Sequence, residues 1–291
     1  MQTFAYESPT TLAEAVALLD AHGPDARLLA GGTDLVIRLR DGSARPGVVI
    51  DVKRIAELCP AIREHDGTVT IGATTVMTDV AANELLRRHF PALAEAAAVV
   101  GSVQIRNRAT IAGNVCNASP AADTAPPLLV YGAVVVAVGP QGTRRIPISE
   151  FFVRSGVTTL ERNELLVAME LPVPVSRTGA VHMRRTRRRG HDLASVTLCC
   201  SVDEKGMTRL AYGSVGPRPV LYVDESGVLA DPAATDEAKA PIFERMFADA
   251  SPSKRSMRAS PEYRLAMLRV LGSRAVRTAI EHLASLRSVE A

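Results

Sequence analysis

The sequence has no tryptophan, and aromatic residues make up only 4% of it. Proteins that read nucleic acid by stacking bases on aromatic platforms need far more, so that class is set aside. Only four cysteines occur, Cys59, Cys116, Cys199 and Cys200, and none stands in a C-x-x-C pair. Zinc fingers and cysteine-ligated iron–sulfur clusters are therefore not expected, and no metal is expected in this chain. No run of 18 uncharged apolar residues occurs, which argues against a membrane span. The opening MQTFAYESPT has neither a basic start nor a long apolar stretch. It does not read as a signal peptide, which points to a reducing, cytoplasmic setting with free thiols.

What remains is ordinary in composition: 291 residues, 47% apolar and 22% charged. That length suggests two domains with cores large enough to need no staple. The net charge of +3 is uneven. Arg184, Arg185, Arg187, Arg188 and Arg189 crowd into one short stretch, and without them the rest of the chain would be net acidic. The surface as a whole is not built for polyanions.

Residues 10–23 read as a helix opened by a Thr11/Glu14 capping box and stopped by Gly23-Pro24. A short strand over 26–30 meets a Gly31-Gly32 turn and a second helix from about Asp34 to Arg40. Strands are expected over 48–52, 68–71 and 133–138, and at the alternating Leu165, Val167, Met169 and Leu171. A helix is expected from Thr78 to Pro91 and another from Pro91 to Val100. Residues 101–124 show no periodicity and read as ordered loop. The segment 171–176, with prolines two apart, reads as a linker. A hairpin over 192–215 and a helical last forty residues follow. The class is α+β, with domains at 1–175 and 176–291.

Two segments carry possible chemistry. In Leu28-Leu29-Ala30-Gly31-Gly32-Thr33-Asp34-Leu35 a strand enters a glycine turn and a helix start. Glycine lets backbone amides approach an anion and permits positive φ. With Thr33 as an extra donor, the turn suits a diphosphate, and Asp34 is placed to cap the helix. A plain αβ turn would look the same. In Thr110-Ile111-Ala112-Gly113-Asn114, followed by Ser119 and Asp123, a small hydroxyl-rich loop could hold phosphate through its amides. Asp123 could accept hydrogen bonds from sugar hydroxyls. A loop braced by its own Asn and Ser side chains is the alternative. Neither segment fits the Rossmann or Walker pattern.

In order along the chain, LLAGGTDL at 28–35, TIGATT at 70–75, QIRNRATIAGN at 104–114 and ASPAAD at 118–123 resemble the FAD-binding subunit of the molybdenum hydroxylases, the xanthine dehydrogenase and carbon monoxide dehydrogenase type. FAYESPTTLAEAVALL near the start and YRLAMLRVLGSRAV near the end extend the resemblance over nearly the whole chain. The resemblance implies a two-lobed, PCMH-type FAD-binding domain followed by a smaller α+β domain of the CO dehydrogenase flavoprotein type. It implies FAD held without a covalent bond, and an oxidoreductase role in electron transfer. Electrons would arrive from a 2Fe-2S small subunit, drained in turn from a molybdopterin large subunit, and leave to NAD or another acceptor. The complex would be a dimer of heterotrimers. Leu28 to Leu35 and Thr110 to Asn114 would hold the diphosphate and Asp123 the sugar. Val100, Leu166 and Arg184 would lie at the flavin half.

Two departures stand out. Ala109 and Ala112 occupy places where the family commonly has glycine, and positive φ at either would cost about 1 kcal/mol. The four-cysteine insert of the 4-hydroxybenzoyl-CoA reductase subgroup, which would follow the second segment, is absent. The arginine run has three readings: a solvated face, a phosphate track, or positive lining near flavin or a partner. Asp192 is the only acid close to it in sequence. Cys116, two residues past Asn114, raises covalent flavin attachment, but a small buried thiol is the commoner case. Cys199-Cys200 in an apolar strand reads as core. No hydrolytic triad is recognisable, and a self-sufficient flavin oxidase is the rival function.

Overall fold

The computed structural model of the chain describes residues 3–188 and 190–288. Arg189 of the arginine run lies outside them.

The chain starts with a parallel three-stranded sheet in the order Ala5–Glu7, Val48–Asp51, Ala26–Leu29. Val48–Asp51 is the middle strand and is buried at every position. Helix Leu12–His22 connects the two edge strands, Ala5–Glu7 and Ala26–Leu29, and both halves of the expected capping box form at Thr11 and Glu14. An antiparallel five-stranded sheet follows, in the order Ile62–His65, Thr68–Gly72, Leu165–Pro172, Val134–Gly139, Gly142–Pro147. These two sheets and the helices between them share one core that includes Ile50, Ile71, Leu93, Leu128 and Met169.

The last sheet is an antiparallel meander of Thr178–Arg185, Val196–Asp203, Thr208–Gly213 and Val220–Asp224. Its middle strand Val196–Asp203 is buried along its whole length. The pleat explains why. Leu198, Cys200 and Val202 join a core with the long helix Pro261–Ser288. Cys199 on the opposite face joins the core of the first domain, with Ala180 and Ala211. The vicinal cysteines thus point into two different cores. A sheet covered on both faces gives the continuous apolar run seen in the sequence.

Three expectations need correction. The helix expected from 78 to 91 is two helices, Met77–Ala82 and Glu84–His89. Asn83 adopts an extended conformation between them, and its side chain accepts from the Leu86 amide to cap the second. Residues 101–124 are not loop throughout. Helices Val103–Arg106 and Ile111–Cys116 form there, capped by Ser102 and Thr110. At 4 and 6 residues, they are too short to show a period, so side-chain capping is the cue to read. The supposed linker at 171–176 begins inside a strand, because Leu171 and Pro172 pair with Val69 and Thr68.

Candidate functional site

The two glycine segments meet. Gly31 lies so close to the chain at Arg108 that an added Cβ would sit 2.0 Å from the Arg108 carbonyl oxygen. Gly32 adopts φ +76, the left-handed region that glycine takes without penalty. The backbone then enters helix Leu35–Asp41, whose first bond is Val36 N–H to Gly32 O at 3.0 Å. Asp34 flanks this helix start, but its side chain makes no capping bond, contrary to the sequence expectation.

Backbone pairing fixes the second segment. Met77 N donates to Ala109 O at 2.8 Å and Ile111 N donates to Thr75 O at 3.0 Å. Thr110 Oγ1 accepts from Gly113 N at 3.1 Å and opens the helix Ile111–Cys116. Thr124 Oγ1 donates to Asn114 Oδ1 at 2.6 Å, so that amide side chain is held in one orientation. Neither Ala109 nor Ala112 has positive φ; among the described residues the non-glycine ones that do are Asp66, Ala118 and Ser214. The two alanines are therefore free of the strain that a required left-handed conformation would impose.

Between the segments runs a cleft of about 360 Å³. Leu28, Ala30, Gly31, Gly32, Thr33, Asp34, Leu35, Thr110, Ala112, Gly113 and Asn114 line it, with Val100 and Leu166 from elsewhere in the first domain. Leu29, Ile111, Asp123 and Arg184 do not; Ile111 is wholly buried in the core. Sequence reasoning missed Arg27, Arg38, Thr74 and Asn117, which also line it, and Cys116, weighed there as a flavin attachment but favoured as a buried thiol, lines it too. Thr74 lies in the TIGATT stretch, and Asn117 follows the second segment directly, so proximity to the motifs was the available signal. Small residues and hydroxyls form one part of the wall, while Val52, Leu58, Leu165 and Leu166 form an apolar part. Such a wall suits a ligand that has both a polar, anionic part and an apolar part.

Asp123 and Arg184 form a second cluster, at the contact between the domains. Arg184 Nη1 donates to Asp123 Oδ2 and to Val99 O, each at 2.7 Å, and Nη2 donates to Asp192 O at 2.7 Å. Asp123 Oδ1 is buried without a hydrogen bond, and His182 Nε2 lies 3.5 Å from it. His182 Nε2 is also 3.0 Å from Thr197 Oγ1. The sequence offered Asp192 as the only acid near the arginine run; the fold brings a second, Asp123, from 61 residues away. The run itself is dispersed. Arg185 Nε donates to Tyr263 Oη at 2.8 Å, Arg187 pairs with Asp192, and Arg188 Nε donates to His191 O at 3.1 Å. The Arg187 side chain and backbone hold Asp192 down to about 2.

Burial pushes the Cys116 thiol up to about 12. At pH 8 it is the neutral thiol, a poor nucleophile. Cys199 and Cys200 are buried and raised by the same cause, while Cys59 is exposed. Brief iodoacetamide treatment at pH 8 should therefore label Cys59 first, the half-buried and less ionised Cys116 more slowly, and Cys199 and Cys200 only as the chain unfolds. Peptide mass spectrometry reads this, and early labelling of Cys116 would refute the burial argument. Among the described residues no group of three or more His, Cys, Asp or Glu is arranged to hold a metal ion. No helix among them is long and apolar enough to cross a membrane.

Comparison with known proteins places both halves. The family described as FAD binding domain in molybdopterin dehydrogenase matches residues 2–174. The CO dehydrogenase flavoprotein C-terminal domain matches residues 182–279. The chain is 33% identical over 281 residues to the xanthine dehydrogenase FAD-binding subunit of Escherichia coli O157:H7, covering 95% of this chain and 96% of that one. It is 34% identical to the carbon monoxide dehydrogenase medium chain of Hydrogenophaga pseudoflava, again over 95% and 96%. A solved structure of carbon monoxide dehydrogenase from Hydrogenophaga pseudoflava, lacking the Mo-pyranopterin moiety, superposes with a TM-score of 0.87 at 32% identity, over 97% of this chain and 98% of that one.

Proposed function

The chain belongs to the family of FAD-binding medium subunits of xanthine dehydrogenase and carbon monoxide dehydrogenase type, and on that premise we propose that it carries electrons between a 2Fe-2S partner subunit and an external acceptor such as NAD. It is an FAD-binding oxidoreductase subunit of the molybdenum hydroxylase type. When bound, FAD supplies a centre able to take up and release electrons singly or in pairs.

The observation that carries the reading is the cleft. Both glycine segments open onto it, with Thr33, Thr110 and Asn114 as donors and an apolar wall beyond. In our reading Leu28 to Leu35 and Thr110 to Asn114 hold the diphosphate, with Leu29 and Ile111 contributing backbone. Val100 and Leu166 cover the flavin half and exclude water from it. Asp123, with its unpartnered Oδ1, accepts from a sugar hydroxyl, and Arg184 orients that carboxylate. The reading extends to a 2Fe-2S small subunit and a molybdopterin large subunit, assembled as a dimer of heterotrimers in the cytoplasm. Domain limits at 1–175 and 176–291 belong to the same proposal.

The test is direct. The purified chain should be yellow, and acid precipitation should release all of the colour as FAD, because residues 27–34 contain no His or Cys to form a link. Colour left in the pellet would refute non-covalent binding; released FMN would refute the diphosphate argument. Purified with its partners, the complex should contain molybdenum and iron. Alone, the FAD-loaded chain should reduce a dye with NADH yet oxidise no aldehyde or heteroaromatic compound. Oxidation of such a substrate by the isolated chain would favour the self-sufficient oxidase instead.

A further inference from the structure

Resting on the FAD reading, we propose that Arg38 is the cation that neutralises the cofactor's diphosphate, and that its bond to Asn117 straps the two glycine segments together across the cleft. A diphosphate diester carries two negative charges at neutral pH. Glycine amides and hydroxyls offer dipoles to it but no compensating charge. The helices that follow the two segments have only 7 and 6 residues, so their dipoles are small. A formal positive charge must come from side chains, and the cleft wall offers two, Arg27 and Arg38, against one acid, Asp34.

The two arginines are not equivalent. Arg27 Nη1 is spent on the chain beside it, donating to Pro24 O at 2.8 Å and Ala26 O at 2.6 Å. Arg38 lies one turn into the helix that follows the Gly31-Gly32-Thr33 turn, its amide bonded to Asp34 O at 3.1 Å. Its Nη2 donates to Asn117 Oδ1 at 2.5 Å. Asn117 is the C-cap residue of the helix that Thr110 opens. A single guanidinium therefore connects the helix of the first segment to that of the second. Asp41 feels its charge, but among the described residues Asn117 is the side chain it bonds. Four of its five N–H donors are left, in the planar fork that fits phosphate oxygens. Lysine could supply the charge at this position but not the strap and the fork together.

Full-length protein stripped of flavin serves for the test. Binding of FAD and riboflavin is followed by flavin fluorescence and that of ADP by competition, each at low and high ionic strength. Riboflavin lacks phosphate, and ADP has the diphosphate without the flavin. A charged hydrogen bond contributes about 1.5–3 kcal/mol, so Arg38→Ala and Arg38→Met should weaken FAD and ADP roughly ten- to a hundredfold. Riboflavin should stay within about twofold, since it has no charge to lose. Affinity for FAD should fall with added salt in the wild type and respond less in both variants. Asn117→Ala should weaken FAD severalfold and keep the salt response, because the charge remains while the strap is gone. Arg40 is exposed on the same helix and does not line the cleft; Arg40→Ala should match the wild type.

Three results would overturn the proposal: FAD and ADP affinity unchanged in Arg38→Ala, riboflavin lost in parallel with them, or Arg40→Ala behaving as Arg38→Ala does. Wild-type protein that binds no FAD at all would remove the cofactor reading itself, a different and separately visible outcome.

Discussion

Gly31→Ala should cost the protein about 3 kcal/mol or more of stability, the upper end of what overpacking does, and most of its FAD. The reason is contact with backbone. The new methyl would fall 2.0 Å from Arg108 O and 2.8 Å from Arg108 C. That carbonyl cannot retreat cheaply, because its surroundings are pinned on both sides. Arg108 N and Ala109 N both bond Ile105 O, at 3.0 and 2.7 Å, and Ala109 O accepts from Met77 N at 2.8 Å. The clash therefore drives the first glycine segment off the second, and the cleft lies between them. Gly32→Ala makes the informative contrast. Its φ of +76 costs an L-residue about 1–2 kcal/mol. Its methyl would meet side-chain tips and no backbone, Leu29 at 3.0 Å and Val36 at 3.3 Å, and these can yield by a few tenths of an ångström. Gly31→Ala should thus be worse than Gly32→Ala in urea midpoint and in FAD occupancy. The reverse order would mean that backbone conformation, and not contact between the segments, is what the first glycine protects.

That contrast also shows what the sequence could and could not reveal. It marked both glycines, and the case for them rested on φ and on access for an anion. The closest demand, at Gly31, comes from Arg108, a residue far along the chain, and nothing local announces it. The strands over 48–51 and 134–139 were legible as short apolar runs, the strand over 68–72 by its alternation, and the helix at 12–22 by its apolar stripe and its capping box and Gly-Pro stop. The helices at 103–106 and 111–116 were not, being held by caps and by pairing with residues 75–77. Likewise charge pattern alone left Arg184 one of five equal charges, and only the family resemblance set it apart. The fold supplies the physical reason, since Thr178–Arg185 is a strand that carries His182 and Arg184 inward while Arg187 and Arg188 follow in the exposed loop. Burial on both faces of the neighbouring strand erased the alternation that would have signalled this.

Arg184→Ala should be the most damaging substitution in the arginine run, and the reason lies with what it leaves behind. Its guanidinium joins three parts of the chain: Val99 O, Asp123 Oδ2 and Asp192 O. The Asp123 side chain is 8% exposed and its other oxygen already lacks a partner. Removing the arginine strands a buried carboxylate, a loss of about 3–5 kcal/mol for a pair of this kind. Asp123→Asn should cost less, because Arg184 keeps two backbone acceptors and the amide can still accept from it. Arg188→Ala removes an exposed side chain whose bond among the described residues is to His191 O, leaves its backbone bonds in place, and should stay within about 0.5 kcal/mol. Urea unfolding of the three variants gives the order, and combining Arg184→Ala with Asp123→Asn should recover part of the loss, because the stranded charge is gone. The flavin potential of the loaded protein tests the cofactor-side role separately. A lost cation lowers the potential and a lost anion raises it, so Arg184→Ala and Asp123→Asn should move it in opposite directions. Equal, small stability losses for Arg184→Ala and Arg188→Ala would return the whole run to a solvated surface. A large stability loss with no movement of the potential would leave Arg184 as a clamp between the domains and take it out of the cofactor site.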